Sequence, residues 1–376
     1  MSSERKDQHV DLAAAQQAAP PSRNDFDDVA FVHHALAGID RDRVSLRTSF
    51  AGITWPVPLY INGMTGGSDR TGRINRALAI AARETGIPIA SGSMSIALRE
   101  PDTAPTFRVL RDENPDGFVL ANLSADADPD QARRAVELVD ANALQLHLNS
   151  VQETVMPEGS RGFSAWPAAI EAIVAAVDVP VVVKEVGFGL SRRTLERLAG
   201  LGVAVADVSG AGGTDFARIE NSRRPEADYA FMAGWGQSAV CCLLDAAHRD
   251  TTGPTAADAT PSATPATPSP IPALLASGGV RTPLDVVRAL ALGARAVGVS
   301  GVFLHAVLGG GEEALVAKIR AWLTQLGQLH ALLGASDPAA LTATDLLLRG
   351  AVHEFCELRG IDAAAYSRRS AHEEHR

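Results

Sequence analysis

One short stretch of the sequence combines several side chains that bind anions and move protons. The side chains of interest within residues 144–159 are Gln145, His147, Asn149, Gln152 and Glu153. The first three alternate with leucines, and alternation sends successive side chains of a strand to opposite faces. The pattern predicts a strand whose polar face lines a ligand site, followed by a connecting loop that carries Gln152 and Glu153.

Glu153 is a candidate metal ligand. No second acidic cluster accompanies it, so it fits Mg²⁺ held partly by water and partly by substrate phosphate oxygens. The alternative is a solvated loop carboxylate. The sequence contains neither HExxH nor a closely spaced set of His and Cys residues, which argues against a transition-metal site.

Lys184 lies near the end of an apolar run, residues 179–187, and is flanked at period 2 by Val182 and Val186. This spacing predicts a lysine that points into the protein, and a buried lysine is costly unless it is paired. Three interpretations stay open. Lys184 is a structural ion-pair partner, a Schiff-base lysine, or a cation beside an electron-rich cofactor.

A basic cluster occurs at the N-terminus of an otherwise acidic protein. Arg5, Lys6 and His9 contrast with a formal net charge of -10. Charges at a terminus are usually solvated. If the N-terminal arm folds over a ligand site, however, these residues would cap an anion and exclude water.

The composition predicts a globular protein that binds neither nucleic acid nor membranes. The chain has 376 residues, of which 46% are hydrophobic and 21% charged, so it can bury a substantial core. The net negative charge argues against a nucleic-acid or anionic-membrane surface. The three cysteines have neither metal-ligand nor disulfide spacing, and the sequence shows no apolar signal segment and no long apolar stretch. These features predict a cytoplasmic location.

Strand-like and helix-like segments alternate along the chain. The predicted strands are residues 57–63, 87–93, 117–124, 143–149, 179–187, 203–210, 271–279 and 294–301. The predicted helices are residues 71–85, 129–141, 167–178, 191–200, 283–293 and 312–333, with a further helix-like stretch around Cys241 and Cys242. This order predicts an α/β protein with a (β/α)8 TIM barrel, and an open doubly wound sheet is the alternative.

The closed barrel is favoured because polar residues and glycines occur at the ends of nearly all eight strands. An open sheet would concentrate them near one switch point. The last two strands end in SGG (277–279) and SG (300–301), where backbone amides and helix N-termini commonly bind phosphate in barrels. The glycine-rich segments 61–67, 210–214 and 276–281 fit a phosphorylated cofactor across the barrel mouth.

The predicted organisation has three parts. Residues 1–50 form an N-terminal arm that closes over the mouth, residues 51–334 form the barrel, and residues 335–376 form a C-terminal helical extension. Residues 250–270 are rich in Thr, Ala and Pro, cannot bury a core, and read as a dispensable insertion in a helix-to-strand connection.

Seven separated segments together resemble type 2 isopentenyl diphosphate isomerase, nearest to its actinobacterial branch. They are RKDQH (5–9), INGMTGG (61–67), HLN and QE within 147–153, MPEG (156–159), KEVGFGLS (184–191), SGAGGTDFARIENSRR (209–224) and ASGGVRTPLDVVRALALGA (276–294). They occur in the right order over nearly the whole chain. The resemblance implies an FMN-dependent (β/α)8 barrel that interconverts isopentenyl and dimethylallyl diphosphate in isoprenoid biosynthesis.

The resemblance also implies the cofactors and their roles. Reduced FMN would be the acid-base group that adds a proton at C4 of the substrate and removes one from C2, without net redox change. Mg²⁺ would bind the diphosphate through Glu153, and NADPH or another reductant would reduce the flavin. Gln152 beside the isoprenoid carbons and Lys184 beside the flavin would support catalysis.

The matching motifs also imply which residues of this chain contact FMN and the substrate. The FMN contacts would be Met64, Thr65, Gly66, Ser93, Asn122, Lys184, Ser209, Thr214, Gly278, Gly279, Val280, Ser300 and Gly301. The substrate contacts would be Arg5, Lys6, His9, His147, Asn149, Gln152 and Ser191. The family also implies a homo-oligomer, either a tetramer or an octamer.

One departure from the family concerns substrate binding. Many relatives have GSQR where this chain has GSMS, residues 92–95, so Ser95 replaces an arginine that contacts diphosphate. Arg99 lies four residues further along and does not by itself restore a bidentate contact.

Two rival functions are considered. An FMN-dependent 2-hydroxy acid oxidoreductase would need a catalytic histidine, which the loop SGAGGT (209–214) lacks. The other is a non-catalytic flavin- or phosphate-binding barrel, which would bind FMN without isomerising the substrate.

Overall fold

A computed structural model describes residues 3–18, 23–248 and 271–370. The predicted insertion 250–270 lies outside these residues. Eight parallel strands close into a barrel with helices around it, which confirms the predicted (β/α)8 architecture and excludes the open sheet. None of the helices in the described ranges is long and apolar enough to cross a membrane.

The strands alternate with helices in the order that the sequence predicts. In chain order the described strands are β1 Val29–Phe31, β2 Thr48–Phe50, β3 Ile53–Trp55, β4 Leu59–Ile61, β5 Ile89–Ala90, β6 Val119–Ser124, β7 Ala143–His147, β8 Val181–Lys184, β9 Val205–Asp207, β10 Ala273–Ser277, β11 Ala296–Val299 and β12 Leu346–Leu348. Strands β4 to β11 form the barrel, which closes where β11 pairs with β4. Each barrel strand lies within its predicted range, so all eight are confirmed.

The helices surround the barrel or extend from it. The described α-helices are α1 Ser3–Ala18, α2 Asp69–Thr85, α3 Ser95–Arg99, α4 Pro105–Asp112, α5 Pro129–Leu138, α6 Ser150–Val155, α7 Trp166–Ala176, α8 Arg192–Gly200, α9 Phe216–Ser222, α10 Ala239–Ala247, α11 Pro283–Ala291, α12 Gly301–Leu332, α13 Gly350–Arg359 and α14 Ala363–Tyr366. Short 3-10 turns occupy Asp25–Asp28, Arg41–Arg43, Pro101–Thr103, Ala230–Met232 and Ala340–Ala343.

One prediction needs correction, and one helix was not predicted. The loop predicted to carry Gln152 and Glu153 is the short helix α6, which Asn149 precedes. The helix predicted at 312–333 is confirmed as the part of α12 that follows a kink at Gly310 and Gly311, whose backbone angles are not helical. The part of α12 before the kink, which begins at Gly301, was not predicted.

The barrel has separate apolar layers outside and inside. Outside, the strands pack against the helices, and strands buried on both faces require the nearly continuous Val, Ala and Leu that the sequence supplies. Inside, the bottom of the barrel is filled by a second apolar cluster that includes Tyr60 and Leu120. The hairpin β2–β3 closes this end with Phe50, Ile53 and Trp55. Ligands therefore enter from the opposite mouth.

The two ends of the described chain are joined beside the barrel. Strand β1 pairs antiparallel with β12, with Val29 opposite Leu348. Asp28 accepts a hydrogen bond from the backbone N–H of Ala351 at 3.1 Å, and the Arg349 backbone N–H donates to the Asp28 carbonyl at 2.9 Å. The C-terminal segment thus contains a strand that the sequence did not predict, in addition to helices.

Candidate active site

Helix α1 lies across the barrel mouth. Arg5 donates to Met156 Sδ at 3.0 Å and pairs with Glu158 at 3.1 Å, while Lys6 Nζ donates to the Ser93 carbonyl at 3.4 Å. Both cations are buried, with 7% and 8% of their surface exposed. The basic cluster of the sequence therefore contributes buried positive charge at the barrel mouth.

His9 extends this contact to helix α9. Its Nε2 lies 3.1 Å from an Oε1 of Glu220, and its ring meets Phe216 edge-on at 6.1 Å. Glu220 also accepts a hydrogen bond from Gln152 Nε2 at 2.7 Å. One buried carboxylate thus links the arm to helix α6.

Helix α6 carries the polar residues that follow strand β7. Asn149 Nδ2 donates to Glu153 Oε1 at 3.0 Å, and the Ser160 backbone N–H donates to Glu153 Oε2 at 2.7 Å. Gln152 and Asn149 are buried, and Asn149 Oδ1 has no hydrogen-bond partner among the described residues. These groups form a polar wall beside α1.

Lys184 ends strand β8 and faces a second charged residue of the barrel interior. It is in register with Asp207 of β9 on one side and with His147 of β7 on the other. Its Nζ donates to the Glu185 carbonyl at 2.5 Å. Burial lowers the pKa of Lys184, whereas the charges of Asp207 and Glu185 act to raise it.

Asp207 is fully buried and accepts several hydrogen bonds. Tyr60 Oη donates at 2.6 Å, Ser277 Oγ at 2.8 Å and Asn62 Nδ2 at 3.2 Å, and the Ser209 backbone N–H donates at 3.0 Å. Both oxygens of this buried carboxylate are therefore hydrogen-bonded, which offsets the cost of removing it from water. Asp207 also acts electrostatically on Lys184, its neighbour in register.

His147 ends β7 at the mouth. Its Nδ1 lies 2.9 Å from Asn122 Oδ1. Burial, followed by the charges of Lys184 and Lys6, lowers the pKa of His147 to about 3, against the opposing effect of a backbone hydrogen bond with Leu123. Before an anion binds, this ring is neutral.

The ends of β4 and β5 contain backbone packed too closely for larger residues. A Cβ atom on Gly92 would lie 2.4 Å from the Thr65 carbonyl oxygen, and one on Gly66 would lie 2.2 Å from the Phe107 ring. The buried hydroxyls of Thr65 and Ser91 have no hydrogen-bond partner in the described part of the chain. Met64 and Ser93 lie half-buried next to them.

The ends of β9 and β10 also approach each other through glycine. Gly278 and Gly279 adopt left-handed conformations, with φ of 89° and 74°, and a Cβ on Gly278 would lie 1.9 Å from the Gly210 carbonyl oxygen. Val280 is buried beside them. Ser300 precedes helix α12 without a side-chain cap bond, and Gly301 begins it. Backbone N–H groups at such a helix start suit an anion.

The remaining predicted site residues have mixed surroundings. Ser209 has a positive φ of 38°, a strained conformation for a residue with a side chain, and Thr214 is half-buried after β9. Ser191 caps helix α8 by accepting a hydrogen bond from the Thr194 backbone N–H. Asn122 is buried with both amide atoms bonded to protein, so the structure gives it a positioning contact.

The GSMS segment shows what occupies the place of the family arginine. Met94 is fully buried, and its backbone N–H donates to the Asn122 carbonyl at 2.8 Å. Ser95 Oγ lies 3.3 Å from Ser93 Oγ. Burial, followed by the charges of Arg5 and Arg99, lowers the pKa of Lys6 to about 8, so the charge of Arg99 reaches the arm.

Sequence reasoning missed three residues near the mouth. Asp207 was detectable as an acidic residue inside an apolar strand, in register with Lys184. Glu220 lies within a motif that was noticed for its family resemblance, but its contact with Gln152 depends on the packing of α9 against α6. Gln17 packs against Gly301, because its Oε1 atom would lie 2.5 Å from a Cβ atom added to that glycine. No local sequence pattern indicates this contact of Gln17.

The barrel and its mouth define the class of protein. The model of the FMN-dependent dehydrogenase family matches residues 115–348. Two solved structures of mandelate oxidase share the fold, each at 16% identity: one has a TM-score of 0.61 and covers 93% of this chain and 95% of that chain, and the other has a TM-score of 0.58 and covers 90% of each. At this identity they show the fold alone.

Full-length relatives define the family more narrowly. Isopentenyl-diphosphate delta-isomerases of Kitasatospora griseola and Streptomyces sp. (strain CL190) are 62% and 59% identical over 98% of this chain and 96% of each relative. That of Staphylococcus haemolyticus (strain JCSC1435) is 43% identical over 96% of this chain and 97% of the relative. The chain belongs to the isopentenyl-diphosphate delta-isomerase family, in its type 2 form built on the FMN-dependent barrel.

Proposed function

We propose that this protein interconverts isopentenyl diphosphate and dimethylallyl diphosphate. The observation that carries the proposal is the pair of buried cations Arg5 and Lys6 at the barrel mouth, near the neutral ring of His147, within a chain of net charge -10. A diphosphate compensates such a cluster, and the interior beneath it is closed by the β2–β3 hairpin. Full-length identity to the isomerases supports the same reaction.

The strand ends fit FMN. The buried hydroxyls of Thr65 and Ser91, which have no partner among the described residues, would supply hydrogen-bond partners for the polar edge of its ring. Gly278, Gly279 and the start of α12 would hold the phosphate. Bound in its reduced form, FMN would supply the acid-base group of the isomerisation.

Lys184 would lie beside the flavin ring as a cation. Its register with Asp207 supports an ion-paired lysine more than a Schiff-base nucleophile, because a nucleophile must be uncharged to react. Its charge would favour an anionic reduced ring, which is how protein groups adjust a cofactor's electronics. Lys184 therefore has a supporting role in catalysis.

Residues around α1 would hold the substrate. Arg5, Lys6 and His9 would approach the diphosphate from the arm, with His147 and Asn149 opposite, and Gln152 beside the isoprenoid carbons. Fixing the diphosphate would place the alkene for proton transfer, so that binding energy far from the reacting carbons is used for positioning. Ser191 would serve this site only secondarily, since its hydroxyl caps α8.

Glu153 would carry Mg²⁺. Among the described residues no group of three or more His, Cys, Asp or Glu side chains is arranged to hold a metal ion. A divalent ion at Glu153 would therefore take further ligands from substrate phosphate and water, as Mg²⁺ does in many phosphate sites. NADPH or another electron donor would reduce the flavin.

The test is anaerobic conversion of isopentenyl diphosphate by purified protein supplied with FMN, Mg²⁺ and dithionite. Controls omit the reductant or the metal, and turnover that requires both is the expected result. FMN binding without conversion would refute the proposal and point to a non-catalytic flavin barrel. Oxidation of 2-hydroxy acids, tested in parallel, would instead support the oxidoreductase reading.

Glu153→Gln tests the metal assignment. We expect turnover to fall by roughly 100-fold and its dependence on Mg²⁺ concentration to weaken, because a ligating carboxylate is lost. Glu137→Gln, on the exposed side of α5, is the matched control and should behave like the parent. An unchanged Mg²⁺ dependence in Glu153→Gln would place the metal elsewhere.

Location and assembly are also proposals. A cytoplasmic location is supported by three buried cysteines, each of which is a free thiol in the described chain. A homo-oligomer, tetramer or octamer, is supported by family resemblance, and light scattering of the purified protein tests it.

A further inference from the structure

A continuous row of polar side chains crosses the barrel interior from Asp207 to His147. It passes through Asn62, Gln145 and Asn122, which are 3%, 0% and 5% exposed. The proposed isomerisation gives Gln145 no role. A fully buried amide in contact with two others nevertheless constrains what each of them can donate or accept.

The direction of this row is set at Asn62. Its Nδ2 donates to Asp207 Oδ2 at 3.2 Å, and its Oδ1 accepts from the Gly63 backbone N–H at 2.8 Å. A carboxylate accepts and a backbone N–H donates, so these two partners leave only one orientation for the Asn62 amide.

Gln145 transmits this orientation across the barrel. Its Nε2 faces Asn62 Oδ1 at 3.5 Å, and its Oε1 accepts from Asn122 Nδ2 at 2.8 Å. Asn122 is left with its Oδ1 toward His147 Nδ1 at 2.9 Å. Because an amide oxygen only accepts, the hydrogen of that bond must be on Nδ1.

We propose that Gln145 is a positioning residue that holds His147 in the Nδ1–H tautomer, so that Nε2 takes up a proton when it binds the substrate diphosphate. The role of His147 at the diphosphate rests on the proposed function. The proton comes from solvent, and the ring becomes a cation with an N–H donor at Nε2. Neutral imidazole in this tautomer could offer the anion only a lone pair.

The surroundings of the ring agree with this order of events. Burial, followed by the charges of Lys184 and Lys6, lowers the pKa of His147, and a backbone hydrogen bond with Leu123 only partly opposes them. A bound diphosphate would place negative charge beside all three groups and reverse that effect. Binding and protonation are thereby coupled.

The first test measures the tautomer directly in full-length protein labelled with [¹⁵N]histidine. A His147→Gln variant identifies the signals of His147. At pH 7 without ligand we expect one species, protonated at Nδ1 and unprotonated at Nε2. Finding the hydrogen on Nε2 would overturn the inference.

Two variants of Gln145 test the relay. Gln145→Met keeps the length of the side chain but cannot accept from Asn122, whose amide can then turn over, and we expect a mixture of both tautomers. Gln145→Glu retains an acceptor oxygen and should restore the single Nδ1–H species. A Gln145→Met spectrum identical to that of the parent would overturn the positioning role even if the parent tautomer is as expected.

Adding inorganic pyrophosphate tests the proton uptake. On saturation the Nε2 signal of the parent protein should move to the protonated position, and binding with no movement would overturn this part. In turnover assays we expect Gln145→Met to raise KM roughly three- to tenfold, with a smaller change in kcat, as for one misoriented hydrogen bond. The spectra require no turnover, so they can fail or succeed independently of the isomerisation assay.

Discussion

Replacing Asp207 by asparagine should destabilise the barrel strongly although the side chain keeps its shape. The new NH₂ group must occupy one of two positions. At the Oδ1 position it would face the Ser209 backbone N–H, and at the Oδ2 position it would face Asn62 Nδ2, which Gly63 holds in place. In either orientation a buried donor faces a donor.

The magnitude follows from these contacts. One buried donor without a partner costs about 1–3 kcal/mol, and removing one member of a buried charge pair costs about 3–5 kcal/mol. Because the substituted side chain retains one acceptor oxygen and the two effects overlap, we expect Asp207→Asn to lower the free energy of unfolding by about 3 kcal/mol. Lys184 loses its counter-charge at the same time, so its pKa should fall further below the usual range.

Urea unfolding, followed by circular dichroism, measures the change through the transition midpoint. Asp112→Asn is the matched control, because that carboxylate is 58% exposed and pairs with Arg108 at 3.5 Å on the helix surface. Its loss should change stability by less than about 0.5 kcal/mol. If the stability of Asp207→Asn also differed from that of the parent by less than this amount, the hydrogen bonds around Asp207 would not stabilise the barrel as we infer.

Two further perturbations probe the mouth. Gly278→Ala should abolish FMN binding or weaken it by more than roughly tenfold, because the added Cβ would meet the Gly210 carbonyl and the φ of Gly278 is left-handed. Gly200→Ala is the control, since Gly200 has open space around it, and this variant should bind FMN normally. Equal FMN affinity in both variants would contradict the proposed phosphate site. Lys6 has a pKa lowered to about 8 by burial and by Arg5 and Arg99, so its charge is present below that pH and lost above it. We therefore expect kcat/KM for the diphosphate to fall as the pH rises through about 8, and Lys6→Arg to move this fall to higher pH; the same inflection in both proteins would rule out Lys6 as its origin.

The barrel strands could be predicted because each combines a short apolar run with glycine or polar residues at its end. Residues 181–184 and 296–299 show this pattern, and both lie within predicted strands. The part of α12 that follows the kink at Gly310 and Gly311 was predicted, whereas the helical turns that begin at Gly301 were not, because Gly309, Gly310 and Gly311 interrupt the apolar pattern. Glycine signals a break in backbone geometry without stating whether the element ends there.

The site was less accessible to prediction because its contacts join distant parts of the chain. The polar alternation of β7 identified His147, and the basic cluster identified α1, but their proximity is a consequence of barrel closure. The placement of Glu220 between His9 and Gln152 depends on the docking of three helices. A single sequence reveals local periodicity, and the contacts of Glu220 with His9 and Gln152 follow no local period.

The pairing of β1 with β12 also sets the order in which the molecule can be completed during synthesis. Asp28 bonds to Ala351, 323 residues later in the chain, and β1 pairs with β12, so β1 lacks its pairing strand until nearly the whole protein has left the ribosome. The barrel strands emerge before that point and can associate while the mouth is still uncovered. A flavin would then have access to the strand ends before β1 and β12 pair beside the barrel.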